Sequence, residues 1–325
     1  MPEAITLPIP ASHREFTVKV NGEALPREHH LVSVSIRNVA NRIAAARLVY
    51  LDGAAATGRF DLSDSPKLVP GVSVEVLAGS NEDAQSLFSG IVVRHSIRVR
   101  ERGGSQLIVE CRHPAVRITA PARNAVFVDT SDSDLIEQLL ADARITADVE
   151  STAETHTQLV QVNCSDWEFM LQRAERAGMW VLADGEGLVV RKPALEGEPA
   201  ATLEFGATLL ELDAEVDARL QLSGATGEWW DASQQSMVEA PADEPSIATT
   251  GNLDPGDLAD AVGSDVLEVR HAANSEGEAR MLAQSEWDRA RLNKLTGRAN
   301  CEGIASLQPG VVVALRGVGE RFSGQ

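Results

Sequence analysis

Gly53 and Gly58 bracket Ala-Ala-Ala-Thr with the glycine spacing of a phosphate-binding loop. Such a loop cradles phosphate with backbone N–H groups, reaches it with a lysine and holds magnesium with a hydroxyl. Here the chain continues Arg59-Phe60, without the lysine or the hydroxyl, so the stretch reads as a turn. The carboxylate pairs Asp132/Asp134 and Asp213/Glu215 have a spacing that could set a general acid beside a base. In a chain with 48 Asp+Glu such spacings arise by chance. The first pair also follows Ser131 at a helix start, where acids meet the positive end of the helix dipole. Arg27-Glu28-His29-His30 lacks the H-E-x-x-H zinc pattern and reads as a solvated turn. His13, His95, His113, His156 and His271 stand singly, two of them in strand patterns, and read as structural histidines. Cys111, Cys164 and Cys301 are far apart, and Cys111-Arg-His113 supplies no zinc-ligand pair. They read as buried free thiols in a reducing compartment. No G-x-S-x-G elbow occurs. No catalytic, cofactor-binding or metal-binding residue survives these tests, and the chain reads as scaffolding rather than as an enzyme.

The elements around these residues change character along the chain. Phe16, Val18 and Val20 alternate before the turn pair Asn21-Gly22. The sets Val32/Val34/Ile36, Val72/Val74/Val76, Val93/His95/Ile97/Val99 and Leu107/Val109/Cys111 also alternate. Period-two patterns between Gly and Pro turns predict short strands, each with one buried face, in a sandwich or small barrel over 1–118. From 119 to 198 the period becomes helical, giving a small α/β unit. Ser131 to Asp134 precede Leu135, Ile136, Leu139 and Leu140. Ser165-Asp166-Trp167-Glu168 is a capping-box pattern, and the helix behind it runs to Gly178. Trp180, Leu182 and Gly185-Glu186-Gly187 predict a hairpin into Leu188, Val189 and Val190. Strands resume at Leu203/Phe205, Leu210/Leu212 and Val216/Leu220/Leu222, in a second barrel over 199–325. Within it, 231–265 is rich in Pro, Gly and acids and reads as a flexible insertion. Ser275 to Glu278 repeat the capping-box pattern ahead of a helix through Ala279, Leu282, Ala283 and Trp287 to about Leu295. Trp167 and Trp287 read as core residues, and Trp229-Trp230 as either core or contact.

Charged residues make up 24% and hydrophobic residues 43%, a globular composition. Against 48 acids stand 29 basic residues, a net charge of −19, which argues against a protein that grips nucleic acid or an anionic membrane. Lys19, Lys67, Lys192 and Lys294 are the lysines; the remaining basic residues are Arg, suited to bidentate carboxylate pairing across interfaces. The N-terminus Met1-Pro2-Glu3-Ala4 carries no secretory pattern, and no apolar run approaches a membrane span. The expectation is a protein made in the cytoplasm.

Two stretches resemble the VgrG-like and phage late-control D tail-hub family. One is Ser165-Asp-Trp-Glu-Phe-Met-Leu-Gln-Arg-Ala-Glu-Arg-Ala-Gly178. The other runs from the helix Ala279–Leu295 through Leu307-Gln308-Pro309-Gly310 to Val318-Gly319-Glu320-Arg321-Phe322-Ser323-Gly324. The resemblance implies a mainly β chain of two related barrels joined by an α/β segment, three copies closing into a ring. It implies a baseplate hub of a contractile injection system: a phage tail, a type VI secretion system or an extracellular tail-like particle. Its partners would be itself, the tube protein above, baseplate wedge proteins around, and a spike tip or effector cargo below. No cofactor, stable nucleic-acid contact or membrane contact is implied. The family continues past the position of Gln325 into an OB-like domain and spike, so the chain is expected to be truncated. Excess acid around a channel would keep an acidic passenger from sticking. Two alternatives stay open at this point: a β-rich adaptor unrelated to tails, and a cell-wall hydrolase carried by a hub.

Overall fold

A computed structural model describes residues 15–79, 84–100, 104–193, 197–247, 250–270 and 273–324. His13, His271, the Met1–Ala4 start and Gln325 lie outside them.

Strands β1 (Phe16–Val20), β2 (Glu23–Ala24), β3 (Leu31–Arg37), β4 (Ala45–Leu51), β5 (Ser73–Ala78), β6 (Gln85–Arg98) and β7 (Gln106–Arg112) form one antiparallel sheet. Its order is β2-β1-β5-β6-β7-β4-β3. Asn21 (φ 48°) and Gly22 (φ 85°) make the two-residue turn between β1 and β2, a backbone region where Gly and Asn are least strained. Leu48, Val74, Val76, Leu107 and Val109 are fully buried on one face, and Leu68 of the 3₁₀ turn Pro66–Leu68 is buried in the same core. At about 1.5–3 kcal/mol for each large side chain, this face stabilises the unit. Among the described residues the ladder does not close: β2 and β3 remain its edges. An open sheet therefore stands where the sequence predicts a first barrel. The alternating set Val93/Ile97/Val99 is exposed, while Phe88 and Val92 are buried. A register shift between Val92 and Arg94 sets His95 opposite Val109 and Ile97 opposite Leu107, yet Ile97 near the end of the strand stays exposed.

The middle unit contains β8 (Arg123–Ser131), α1 (Asp132–Asp142), β9 (Ala147–Val149), β10 (Thr155–Cys164), α2 (Asp166–Arg176), β11 (Trp180–Asp184) and β12 (Gly187–Arg191). β8 and β10 pair antiparallel, and β11-β12-β9 form a second small sheet. Leu135, Ile136, Leu140, Met170, Met179 and Val190 are fully buried between helices and sheets. The Ser165 capping box is reciprocal: Ser165 Oγ accepts from the Glu168 N–H at 3.2 Å, and Glu168 Oε2 accepts from the Ser165 N–H at 2.8 Å. At the other end Gly178, at φ 71°, lets Met179 N–H reach the Ala174 carbonyl at 2.8 Å.

Among the described residues the last unit is three small sheets rather than a barrel. β13 (Ala201–Glu204) pairs in parallel with β19 (Val313–Arg316), and β14 (Leu209–Val216) pairs antiparallel with β18 (Leu295–Cys301). β15 (Gly224–Asp231) is flanked by β16 (Ser236–Pro241) and β17 (Val266–Val269). Helix α4 (Glu276–Leu292) lays Ala279, Leu282, Ala283 and Trp287 on this last sheet. Gly227 allows the approach, since a Cβ there would meet the Ala279 backbone. Leu220, expected in a strand, sits in a 3₁₀ turn at Ala218–Leu220.

The segment 231–265, expected as a flexible insertion, holds β16 and helix α3 (Pro255–Val262). The Asp254-Pro255-Gly256 run is a helix start: Asp254 caps the Gly256 and Asp257 N–H groups, and Pro255 occupies the first helical position. Lys294, buried, ties this segment down by donating to the Thr250 (2.8 Å) and Leu253 (3.1 Å) carbonyls.

Candidate functional site

The structure separates the residues whose spacing suggested chemistry. Gly53–Gly58 is a closed turn: Gly58 N–H donates to the Ala54 carbonyl at 2.8 Å, and Ala54 pairs with Arg59. Asp213 and Glu215 lie exposed on β14. Cys111 is buried, and burial pushes its thiol up to about 12; Cys164 and Cys301 are half-buried rather than buried. Among the described residues no group of His, Cys, Asp and Glu could hold a metal ion. His113 Nδ1 accepts from the Ala115 N–H at 3.2 Å, and burial holds the imidazole below its ordinary value against the pull of the Gly187 and Gly185 carbonyls. A neutral ring then carries its proton on Nε2, which is buried beside those carbonyls.

Asp132 and Asp134 do not act together. Asp134 is exposed at the first turn of α1, whereas Asp132 is 0% exposed. Its carboxylate meets the Arg173 guanidinium of α2 and lies 3.1 Å from His156 Nε2 of β10. Arg173 Nη2 lies 3.0 Å from the same His156 nitrogen. Glu278 of α4 enters this cluster, accepting from Arg176 at 2.7 Å with Arg173 at 3.8 Å. Burial opposes the Asp132 charge, but hydrogen bonds from His156 and Arg173 outweigh it and hold the carboxyl below the usual range. The second capping box is therefore one-sided. Ser275 accepts from the Glu278 N–H at 3.0 Å, but the Glu278 side chain turns to Arg176 and to the Asn274 N–H. The cluster ties the middle unit to the helix of the last unit. Around it Ser275 Oγ donates to Glu154 at 2.9 Å, and Ser285 Oγ donates to the Glu175 carbonyl at 2.9 Å. Two carboxylates facing two guanidiniums balance in charge, and the arrangement can hold elements together.

The outer surface carries a different feature. On the two-stranded sheet of β8 and β10, Val126 (57% exposed), Val128 (62%), Val160 (49%) and Val162 (66%) share one face, with Val126 paired to Val160. Their exposed companions Asn124 and Gln158 are uncharged. In a chain of net charge −19 this face is apolar and uncharged. Trp230 and Met237, paired across β15 and β16, are also exposed, while Trp167 and Trp287 are buried. The valines were visible in the sequence as alternation, but which face the helices would cover was not.

The sequence family described as Alg8 N-terminal domain matches residues 11–325. No curated protein matches the sequence. The fold is similar to the prophage MuSo2 43 kDa tail protein from Shewanella oneidensis, at 14% identity and a TM-score of 0.64, over 93% of this chain and 88% of that one. It is similar to a tail protein from Neisseria meningitidis MC58, at 15% identity and a TM-score of 0.63, over 96% and 88%. The E. coli c3393 protein, a component of the type VI secretion system, overlaps less, at 13% identity and a TM-score of 0.46, over 62% and 56%. The mainly β fold with few helices is thus that of phage tail proteins. Among the described residues no helix is long and apolar enough to cross a membrane.

Proposed function

We propose that this chain, which belongs to the Alg8 N-terminal domain family, is the structural hub of a contractile, phage-tail-like injection machine. The observation that carries the reading is the tail-protein fold, matched over 93% and 96% of the chain in two separate structures. In this reading three copies close into a ring that meets a sixfold tube on one side and a threefold spike on the other. Ring closure covers surfaces that a lone copy leaves open: the valine face of β8–β10 and the sheet edges at β2 and β3. The partners are the tube protein, baseplate wedge proteins and a spike tip or cargo. Its place is the assembled virion, secretion apparatus or particle.

The chain catalyses no reaction in this role; it transmits the force of contraction through closed interfaces and through the buried charges that join its units. Mass measurement of the complete gene product in assembled particles tests the reading. Three copies at each particle end are expected, and any other number refutes it. Val128→Asp with Val160→Asp should leave the chain folded but prevent ring formation, whereas an unaltered ring would remove the valine face from the interface.

A further inference from the structure

A cleft of about 570 Å³ separates the first sheet from the β11–β12 hairpin. One wall is residues 85–89 of β6 and the other is residues 182–184 of β11. Pairing of β6 with β7 begins at Ile91, so the stretch before it keeps β5 on one side and has no strand on the other among the described residues. On β11, Asn41 occupies the outer edge at Val181, accepting and donating at 2.8 Å, and leaves Ala183 beyond it. Alternate residues of a strand point their N–H and C=O groups to the same side, so Ala183 presents its pair to the cleft. Two open strand edges thus face one slot. Gln308, Pro309 and Val311 bound it, and Gly310 between them packs against Leu182. Buried His113 lines it as well.

Unpaired edges attract strands, and native proteins normally block them with charge, proline or a covering element. Here the rim supplies selection instead. Asp148 and Asp184 are exposed and form no ion pair among the described residues, and Glu186 lies beside the slot, accepting from Ser89 at 3.3 Å. Arg191 is the opposing charge. We infer that this slot is a strand-addition site that takes an extended, basic peptide segment of a partner protein, zipped between the edges of β6 and β11. Main-chain hydrogen bonds to both walls hold the segment, and the acidic rim selects its charge. The inference stands apart from the hub reading, because a strand site serves an adaptor equally.

The probe is a fluorescein-labelled acetyl-Lys-Val-Thr-Val-Lys-Val-Thr-Val-amide, compared with its Glu-for-Lys counterpart and with a version N-methylated at alternate amides. Fluorescence anisotropy and amide hydrogen exchange are read on the 325-residue chain. The cationic peptide should bind about tenfold more tightly than the acidic one and protect residues 85–89 and 182–184. The N-methylated version should lose binding, and Ala183→Pro, which removes one cleft-facing N–H, should weaken it. Asp148→Lys with Asp184→Lys, both at exposed positions, should reverse the charge preference without touching the edges. Absence of binding by the cationic peptide at about 1 mM overturns the proposal. So does equal binding of the N-methylated peptide, or protection that falls elsewhere.

Discussion

Replacing Asp132 by alanine isolates the buried charges from the rest of the fold. Asp132 has no exposed surface, and its two oxygens serve Arg173 and His156. Its removal strands the Arg173 guanidinium, itself buried, with Glu278 Oε1 at 3.8 Å as the nearest counter-charge. Breaking a buried pair by removing one partner costs about 3–5 kcal/mol, because the remaining charge stays desolvated and unmatched. The cost is local, so it should appear first where α1, α2 and α4 meet. Urea unfolding followed by tryptophan fluorescence reports there, since Trp167 lies on α2 and Trp287 on α4. Removing both charges, as Asp132→Leu with Arg173→Met, should be much less damaging than the two single changes added together, because no orphan charge remains. A loss below about 1 kcal/mol for Asp132→Ala, or single-variant costs that simply add, would show that water screens the cluster. The account of how the units are joined would then be wrong.

Three further expectations concern other links in the same structure. Asp132 titrates below its ordinary value in the folded state, so its contribution is complete above the unfolded-state value near pH 4 and disappears as pH falls through the lower folded value. Asp132→Asn should flatten the stability–pH curve in that acidic window and leave its slope above about pH 5 unchanged. Burial lowers His113, so its contribution is present above about pH 6.5 and is lost on acidification through the folded value; His113→Asn should remove that slope alone. Gly227→Ala pushes a methyl into the Ala279 backbone and should destabilise the last unit by about 1–3 kcal/mol in thermal unfolding, whereas Gly206→Ala, where a Cβ would meet nothing, should cost less despite its positive φ.

Local signals in the sequence were informative wherever one residue type served one purpose. Asn21-Gly22, the Ser165–Glu168 box and Gly178 each encode a turn or helix end within a few residues, and each stands in the structure. The same reading stopped where partners come from far away. Glu278 looks like an ordinary capping-box acid until Arg176, 102 residues earlier, draws its side chain off. Asp132 looks like a helix-start acid until β10 and α2 close over it. His156 read as a lone structural histidine because its partners lie 24 and 17 residues distant. Composition misled at 254–263, where the residues that signal loops also make a proline-first helix start and a glycine stop. Barrel closure was likewise illegible, because alternation marks a strand's faces but not what its edges meet.

The parallel pair at the boundary of the last unit sets an order of events during synthesis. Ala201 pairs with Val313, so β13 leaves the ribosome 112 residues before its partner exists. At about 5–20 residues per second, β13 waits several seconds or more while the intervening strands and α4 assemble. Closing so long a loop around four paired residues is entropically costly unless the material between them is already folded. The pair therefore acts as a clasp fastened last. A variant that slows assembly of α4 onto β15 should leave nascent chains with a free strand at 201–204 and a lengthened period of vulnerability to aggregation.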